Sequence, residues 1–171
     1  MTAQRPDTRE REFVIGRRFA VPRERLFQAW TEPAQLAQWW GPHGFSSPCC
    51  ELDVRPGGRY RIVMRGPDGS EYVVSGVYRE VQAPRRLVLT DDCSGHPQDW
   101  SGRLDPRPEN GAPASLDALS TVTFDLVGGG TLLGIRTLFA SVAIRDAMLK
   151  LGMAEGWGES LERLERHLAG A

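Results

Sequence analysis

The sequence is poor in the features that mark secreted, membrane-spanning and nucleic-acid-binding proteins. It has three cysteines in 171 residues, and the adjacent pair Cys49-Cys50 makes a poor disulfide framework. No apolar run approaches the ~20 residues that a transmembrane helix needs, and the polar start of the chain lacks the apolar core of a secretory signal. The net charge of −1 provides no general attraction to nucleic acid. We therefore expect a cytoplasmic protein without a membrane span or a nucleic-acid partner.

Recognisable catalytic and cofactor motifs are also missing from the sequence. It contains no G-x-S-x-G, no phosphate-binding glycine loop and no H-E-x-x-H. Cys93 and His96 are spaced as C-x-x-H, but the second ligand pair of a zinc site is absent. Cys50 is more simply a small core residue, and His43 lies in a predicted surface loop. The sequence predicts no catalytic residue, no metal site and no cofactor, and it leaves open whether the protein is an enzyme.

Hydrophobic periodicity predicts an α+β domain. A strand over 13–21 is followed by two short helices, the second over 34–39, and the period is then two from residue 46 to residue 140. One segment rich in proline and glycine, residues 92–116, interrupts this run of strands and predicts a long loop, either a lid or a mobile excursion. We expect residues 1–11 to be a flexible lead-in and residues 12–169 to form one domain.

The last long stretch of the chain, residues 143–168, has the pattern of one amphipathic helix. Its apolar side chains recur at helical spacing at Trp157, Leu161, Leu164 and Leu168. Ser141 is a plausible N-cap. Three glycines interrupt the pattern, each at a cost of about 1 kcal/mol relative to alanine: Gly152, Gly156 and Gly158. Close packing of the helix against a sheet is the favoured explanation, and room for a ligand beside Trp157 is the alternative.

Several motifs, in order, resemble one protein family. They are FQAWTEP (27–33), QWWGP (38–42), LDVRPGG (52–58), GPDG (66–69) and GMAEGW (152–157). The sequence is similar to bacterial homologues of the activator of the heat-shock-protein-90 ATPase, in the SRPBCC or START-like superfamily. The resemblance implies the helix-grip fold, in which a curved seven-stranded antiparallel sheet surrounds a long C-terminal helix. It also implies two short helices after the first strand and a hydrophobic cavity between sheet and helix.

The resemblance does not select one function, since the superfamily includes lipid carriers, co-chaperone domains and polyketide cyclases. The leading hypothesis is a domain that binds a small apolar or amphipathic ligand in the cavity. The expected lining residues are Trp40, Tyr60, Ile62, Met64, Tyr78, Phe124, Ile135, Met153, Trp157 and Leu161. One alternative is an interaction module that stimulates a chaperone ATPase. The other is a polyketide-cyclase-like enzyme that uses pocket tyrosines.

Overall fold

The computed structural model of the chain describes residues 8–97 and 117–170. Most of the predicted 92–116 loop, and residues 1–7 of the predicted lead-in, therefore lie outside the described residues. The end of that lead-in, Thr8–Arg11, forms a 3-10 helix. Arg11 Nη1 donates a hydrogen bond of 3.1 Å to the carbonyl oxygen of Phe139, so the 3-10 helix is attached to the last strand of the sheet.

Seven antiparallel strands form one curved sheet, as predicted. They are β1 (Glu12–Phe19), β2 (Ser46–Leu52), β3 (Arg59–Arg65), β4 (Glu71–Gln82), β5 (Arg86–Asp92), β6 (Asp117–Val127) and β7 (Gly130–Phe139). Their order across the sheet is β1-β7-β6-β5-β4-β3-β2, so every strand from β2 to β7 lies beside its neighbour in sequence. Alternating side chains place one apolar face inward, which the helices cover.

Four α-helices lie within residues 8–97 and 117–170 and complete the described part of the fold. They are α1 (Arg23–Thr31), α2 (Pro33–Trp39), α3 (Val142–Lys150) and α4 (Met153–Gly170). The two short helices after β1 confirm the prediction. Proline suits the first turn of α2, because the amide hydrogen that it lacks would have no partner within the helix.

The prediction of one continuous helix over 143–168 is wrong, because two helices span this stretch. Ser141 caps α3 as predicted, its hydroxyl accepting a 3.1 Å hydrogen bond from the amide of Ile144. The break comes at Gly152, whose φ of +91° is a conformation that favours glycine. Helical spacing continues across the break, and for that reason the sequence pattern did not reveal it.

Close packing does not explain the two glycines inside α4, which corrects the favoured explanation. A Cβ atom at Gly156 would meet Pro42 Cγ at an ordinary 3.6 Å, and one at Gly158 would have nothing within 4 Å. Neither position brings the helix backbone against the sheet. Gly156 instead lies beside the pocket described below.

The hydrophobic core fills one end of the space between the sheet and α4. The second half of α4 supplies Leu161, Leu164 and Leu168, all almost fully buried. Phe124 of β6 meets Phe27 of α1 edge to face, with ring centroids 5.3 Å apart. Trp39 closes the same end from α2, and its indole Nε1 donates a 2.9 Å hydrogen bond to the carbonyl oxygen of Ala29. The side chains on this half of the sheet form one cluster of buried residues.

Candidate functional site

An open pocket of about 410 Å³ lies at the opposite end of the same space. At this end β3, β5 and β7 finish, and β4 and β6 begin. The pocket is covered by α3 and by the first half of α4. Because α4 runs the length of the sheet, its first half faces the pocket and its second half faces the packed core.

The inward side chains change from apolar to polar on three neighbouring strands as they approach the pocket. Leu87 and Leu89 of β5 give way to Asp91, Phe124 and Val122 of β6 to Ser120, and Leu133 and Ile135 of β7 to Thr137. Side chains two residues apart in a strand share a face. The inner face therefore carries a polar row where the pocket begins.

Asp91 stands at the centre of a hydrogen-bond network in this row. Ser120 donates from its hydroxyl to Asp91 Oδ2, and the hydroxyl oxygens of Ser120 and Thr137 are 2.9 Å apart. The Tyr60 hydroxyl contacts Asp91 Oδ1 and also lies 2.7 Å from the carbonyl oxygen of Thr90. Two fixed hydroxyl groups thus hold the two oxygens of the carboxyl group in place.

Burial controls the charge of the groups around the pocket. It raises the pKa of the Asp91 carboxyl, and the hydrogen bonds from Ser120 and Tyr60 oppose that rise. Burial also raises the pKa of the Cys93 thiol to about 12, with a further contribution from the Asp91 charge. The pKa of His96 is lowered by burial, and its Nδ1 lies 2.8 Å from the carbonyl oxygen of Val73. Cys93 and His96 are therefore neutral at pH 7, whereas Asp91 is the described lining group whose charged form a positive group in the pocket would stabilise.

Flexible apolar side chains form the other wall of the pocket. Met64 comes from β3, Met148 from α3 and Met153 from α4, so that three of the four methionines of the chain line one pocket. Trp40 and Trp157 join them, with ring centroids 5.3 Å apart in an edge-to-face arrangement. Methionine side chains adapt to irregular shapes, so this wall can accommodate different apolar groups.

Arg163 of α4 fixes the segment that carries Trp40. Its Nη1 donates to the carbonyl oxygens of Gly41 at 2.8 Å and Trp40 at 3.1 Å. Gly41 has a φ of +104°, which lets the chain turn sharply after Trp40. A cation on the long helix thus attaches the rim of the pocket to α4.

Four of the ten predicted lining residues line the pocket: Trp40, Met64, Met153 and Trp157. The other six lie in the packed core and are at most 4% exposed: Tyr60, Ile62, Tyr78, Phe124, Ile135 and Leu161. The strand residues among the ten face inward, in agreement with their period-two spacing. The spacing does not indicate position along the strand, and the six belong to the end that α1 and α2 close.

The prediction missed the polar wall of the pocket. Asp91, Ser120 and Thr137 each continue an inward apolar series, and Ser160 does the same on α4. A polar residue in phase with buried neighbours is the signal that could have identified them. Of the three tyrosines in the chain, Tyr72 lines the pocket, Tyr60 reaches its edge through Asp91, and Tyr78 lies in the packed core.

Residues 8–97 and 117–170 contain neither a cluster of metal ligands nor a membrane-spanning helix. No three histidine, cysteine or acidic side chains converge there as metal ligands would. The amide of His96 donates to the carbonyl oxygen of Cys93 at 3.0 Å, so the C-x-x-H spacing forms a turn. None of the helices in these ranges is long and apolar enough to cross a membrane.

The curved seven-stranded sheet, the short helix pair and the long C-terminal helix define the helix-grip fold of START-like proteins. Residues 20–169 match the sequence model of the family described as "Activator of Hsp90 ATPase homolog 1-like protein". The chain therefore belongs to this family, and the resemblance seen in its motifs is confirmed.

Bacterial proteins of known structure share the fold over nearly their whole length. A protein from Nitrosomonas europaea is 27% identical, with a TM-score of 0.77, and the match covers 94% of this chain and 96% of that one. One from Rhodobacter sphaeroides is 26% identical, with a TM-score of 0.78 and 94% of each chain covered. The AHSA1 protein of Silicibacter pomeroyi is 25% identical, with a TM-score of 0.68, and 92% of this chain and 97% of that one are covered. No curated protein matches the chain.

Proposed function

We propose that the protein binds a small hydrophobic or amphipathic ligand in the pocket between the sheet and α4. The observation that carries the proposal is the pairing of two unlike walls. Methionine and tryptophan side chains face a row of hydrogen-bonding groups across one pocket. Sites for small molecules are typically apolar clefts of ~300–1,000 Å³ with a few placed polar groups. The pocket volume of about 410 Å³ and its lining agree with that description.

Native mass spectrometry of the purified protein tests the proposal without choosing a ligand. We expect an excess mass that is lost on denaturation, which would identify a co-purified small molecule. Isothermal titration with 1-octanol provides a defined probe for protein that is free of such a molecule. We expect saturable binding of one octanol per chain.

A matched pair of variants on the first turn of α4 locates the binding. Met153→Asp puts a carboxylate in the apolar wall, and an acidic residue is tolerated at a helix N-terminus. Burying that charge against octanol is unfavourable, so we expect affinity to fall by about tenfold or more. Ala154→Asp makes the same change beside the pocket and should alter affinity by less than about twofold. Equal losses in both variants, or no octanol binding by the unmodified protein, would contradict the proposal.

Stimulation of a chaperone ATPase is a second candidate function, and the family description supports it. Exposed apolar side chains on the outer face of the sheet add a specific observation. Val14 of β1 is 59% exposed and Leu119 of β6 is 37% exposed, and both lie beside Leu138 of β7. Leu119 pairs with Leu138, and Val14 is two residues from Glu12, which also pairs with Leu138. Exposed apolar groups that lie together mark many protein interaction surfaces.

The ATP turnover of the cognate bacterial Hsp90-type chaperone tests this second candidate. Turnover should rise with added protein and saturate. Leu119→Ser should weaken the effect, whereas Met153→Asp should not, because Met153 lies on the opposite side of the sheet. Unchanged turnover over a range of concentrations would exclude this function.

A further inference from the structure

We infer that the ligand of the pocket carries a protonated amine, which binds the carboxylate of Asp91, and an apolar chain, which lies against the methionines. This inference rests on the proposed ligand-binding function and assigns the chemical class of the ligand. It comes from the position of one acidic side chain in a pocket whose described lining contains no lysine, arginine or other acidic residue.

Asp91 has no cationic partner within the described residues. No lysine, arginine or histidine forms a salt bridge with it there, and the described pocket lining contains neither lysine nor arginine. A carboxylate removed from water is unfavourable unless a counter-charge and hydrogen bonds replace the solvent. The hydroxyl groups of Ser120 and Tyr60 supply hydrogen bonds but no positive charge. A ligand ammonium group would supply the missing charge.

The carboxyl group also has acceptor capacity left for a ligand. An ionised carboxylate offers about four lone-pair sites on its two oxygens. One hydroxyl group occupies a site on each oxygen, and the carboxyl group borders the pocket. The same two hydroxyl groups fix the orientation of the carboxyl group before any ligand arrives. Preorganised groups lose less freedom on binding and so favour affinity.

The charge of the pocket discriminates between head groups. A fatty acid would bring a second carboxylate towards Asp91 with no described cation in the lining to separate them. An alcohol can donate one neutral hydrogen bond. An ammonium group donates charge-assisted bonds, which are roughly twice as strong. The expected order of affinity is therefore amine, alcohol, carboxylate.

The positions of the polar wall and the apolar wall also suit an amphipathic ligand. Asp91 belongs to the sheet, whereas Met148 and Met153 belong to the helices that cover it. An amine held at the sheet would place its hydrocarbon chain beneath α3 and α4, beside Trp157.

Three probes with the same hydrocarbon chain test the inference: octylamine, 1-octanol and octanoate, each titrated calorimetrically into the full-length protein at pH 7. Octylamine should bind about tenfold or more tightly than octanol, since a hydrogen bond to a charged group contributes that much. Octanoate should bind more weakly than octanol. In Asp91→Asn the preference for the amine should fall to less than about twofold. Asp125→Asn removes the same charge from the exposed face of β6 and should keep the preference.

The outcomes separate this inference from the proposed function. Octanol binding with no preference for the amine in the unmodified protein would overturn the inference and leave the proposed function intact. A preference that survives in Asp91→Asn would also overturn it. Binding of none of the three probes would overturn both. The comparison of probes in the unmodified protein decides the question even if Asp91→Asn does not fold.

Discussion

The two ends of the space between sheet and helix are built from the same elements but differ in composition. At the closed end β5, β6, β7 and α4 contribute leucine, valine, isoleucine and phenylalanine, which are buried to within a few per cent. At the open end these elements contribute Asp91, Ser120, Thr137 and Ser160, together with methionine from α4. The three strands and α4 continue from one end to the other. The strands and α4 therefore determine where this space lies, and the inward side chains determine which part of it remains open as the pocket.

The two short helices reinforce the difference between the ends. Both α1 and α2 cover the closed end, with Leu26, Ala29 and Leu36 almost fully buried there. At the open end the cover is α3, which is joined to α4 through the break at Gly152. In one continuous helix, residues 142–170 would share a single axis. The break allows α3 to cover the pocket along an axis different from that of α4.

Truncation of an aromatic side chain at each end should produce the largest contrast. Phe124→Ala, at the closed end, should lower the free energy of unfolding by about 3–5 kcal/mol, because it empties a fully buried site. Trp157→Ala, at the open end, should cost about 1–2 kcal/mol, because the indole is partly exposed and loses mainly its contacts with Trp30 and Trp40. Urea denaturation measures both values. Equal losses would show that the two ends are packed alike.

The pH dependence of stability should distinguish Asp91 from acids outside the pocket. Its pKa is raised in the folded protein, so its stabilising contribution is complete below the unfolded pKa and is lost as the pH rises through the folded pKa. Asp91→Asn removes this loss. Its stability relative to the unmodified protein should increase between pH 4 and pH 7 by about 1.4 kcal/mol for each unit by which the pKa is raised.

Urea denaturation of both proteins at several pH values checks this prediction. Tyr60 and Cys93 interact with Asp91, but burial raises the pKa of both groups, so neither titrates between pH 4 and pH 7. His96 titrates in both proteins, and its contribution cancels in the difference. The same comparison with Asp125→Asn should show no such trend. A stability difference for Asp91→Asn that does not vary with pH would contradict the raised pKa.

Alanine at two glycines should give smaller effects of opposite sign. Gly158→Ala should stabilise the protein by about 0.5–1 kcal/mol, because the added methyl group meets open space and alanine favours the helix. Gly152→Ala should destabilise it by about 1 kcal/mol or more, because the break requires a positive φ. Thermal unfolding measures both changes. A stabilising Gly152→Ala would mean that α3 and α4 can form one helix, and the open end would lose its separate cover.

The sequence predicted the strands and the short helices better than it predicted the position of the pocket. Period-two alternation and the motifs indicated seven strands and their inward faces, and the structure has this sheet. Local spacing does not show which end of a strand lines the pocket and which end lies in the core. That depends on which part of the sheet α1 and α2 cover. Helical spacing also concealed the break at Gly152, because a left-handed glycine and a helical glycine look alike in sequence. The polar residues in phase with buried ones, such as Asp91 and Ser120, carried the usable signal for the open end.

Methyl NMR of the protein titrated with 1-octanol tests the contrast between the two ends most directly. The methionine methyl groups of Met64, Met148 and Met153 report on the open end, and the leucine methyl groups of Leu164 and Leu168 report on the closed end. We expect octanol to shift the three methionine signals with one common saturation curve and to leave the two leucine signals in place. Shifts at Leu164 and Leu168, with the methionine signals unchanged, would contradict the assignment of an open and a closed end.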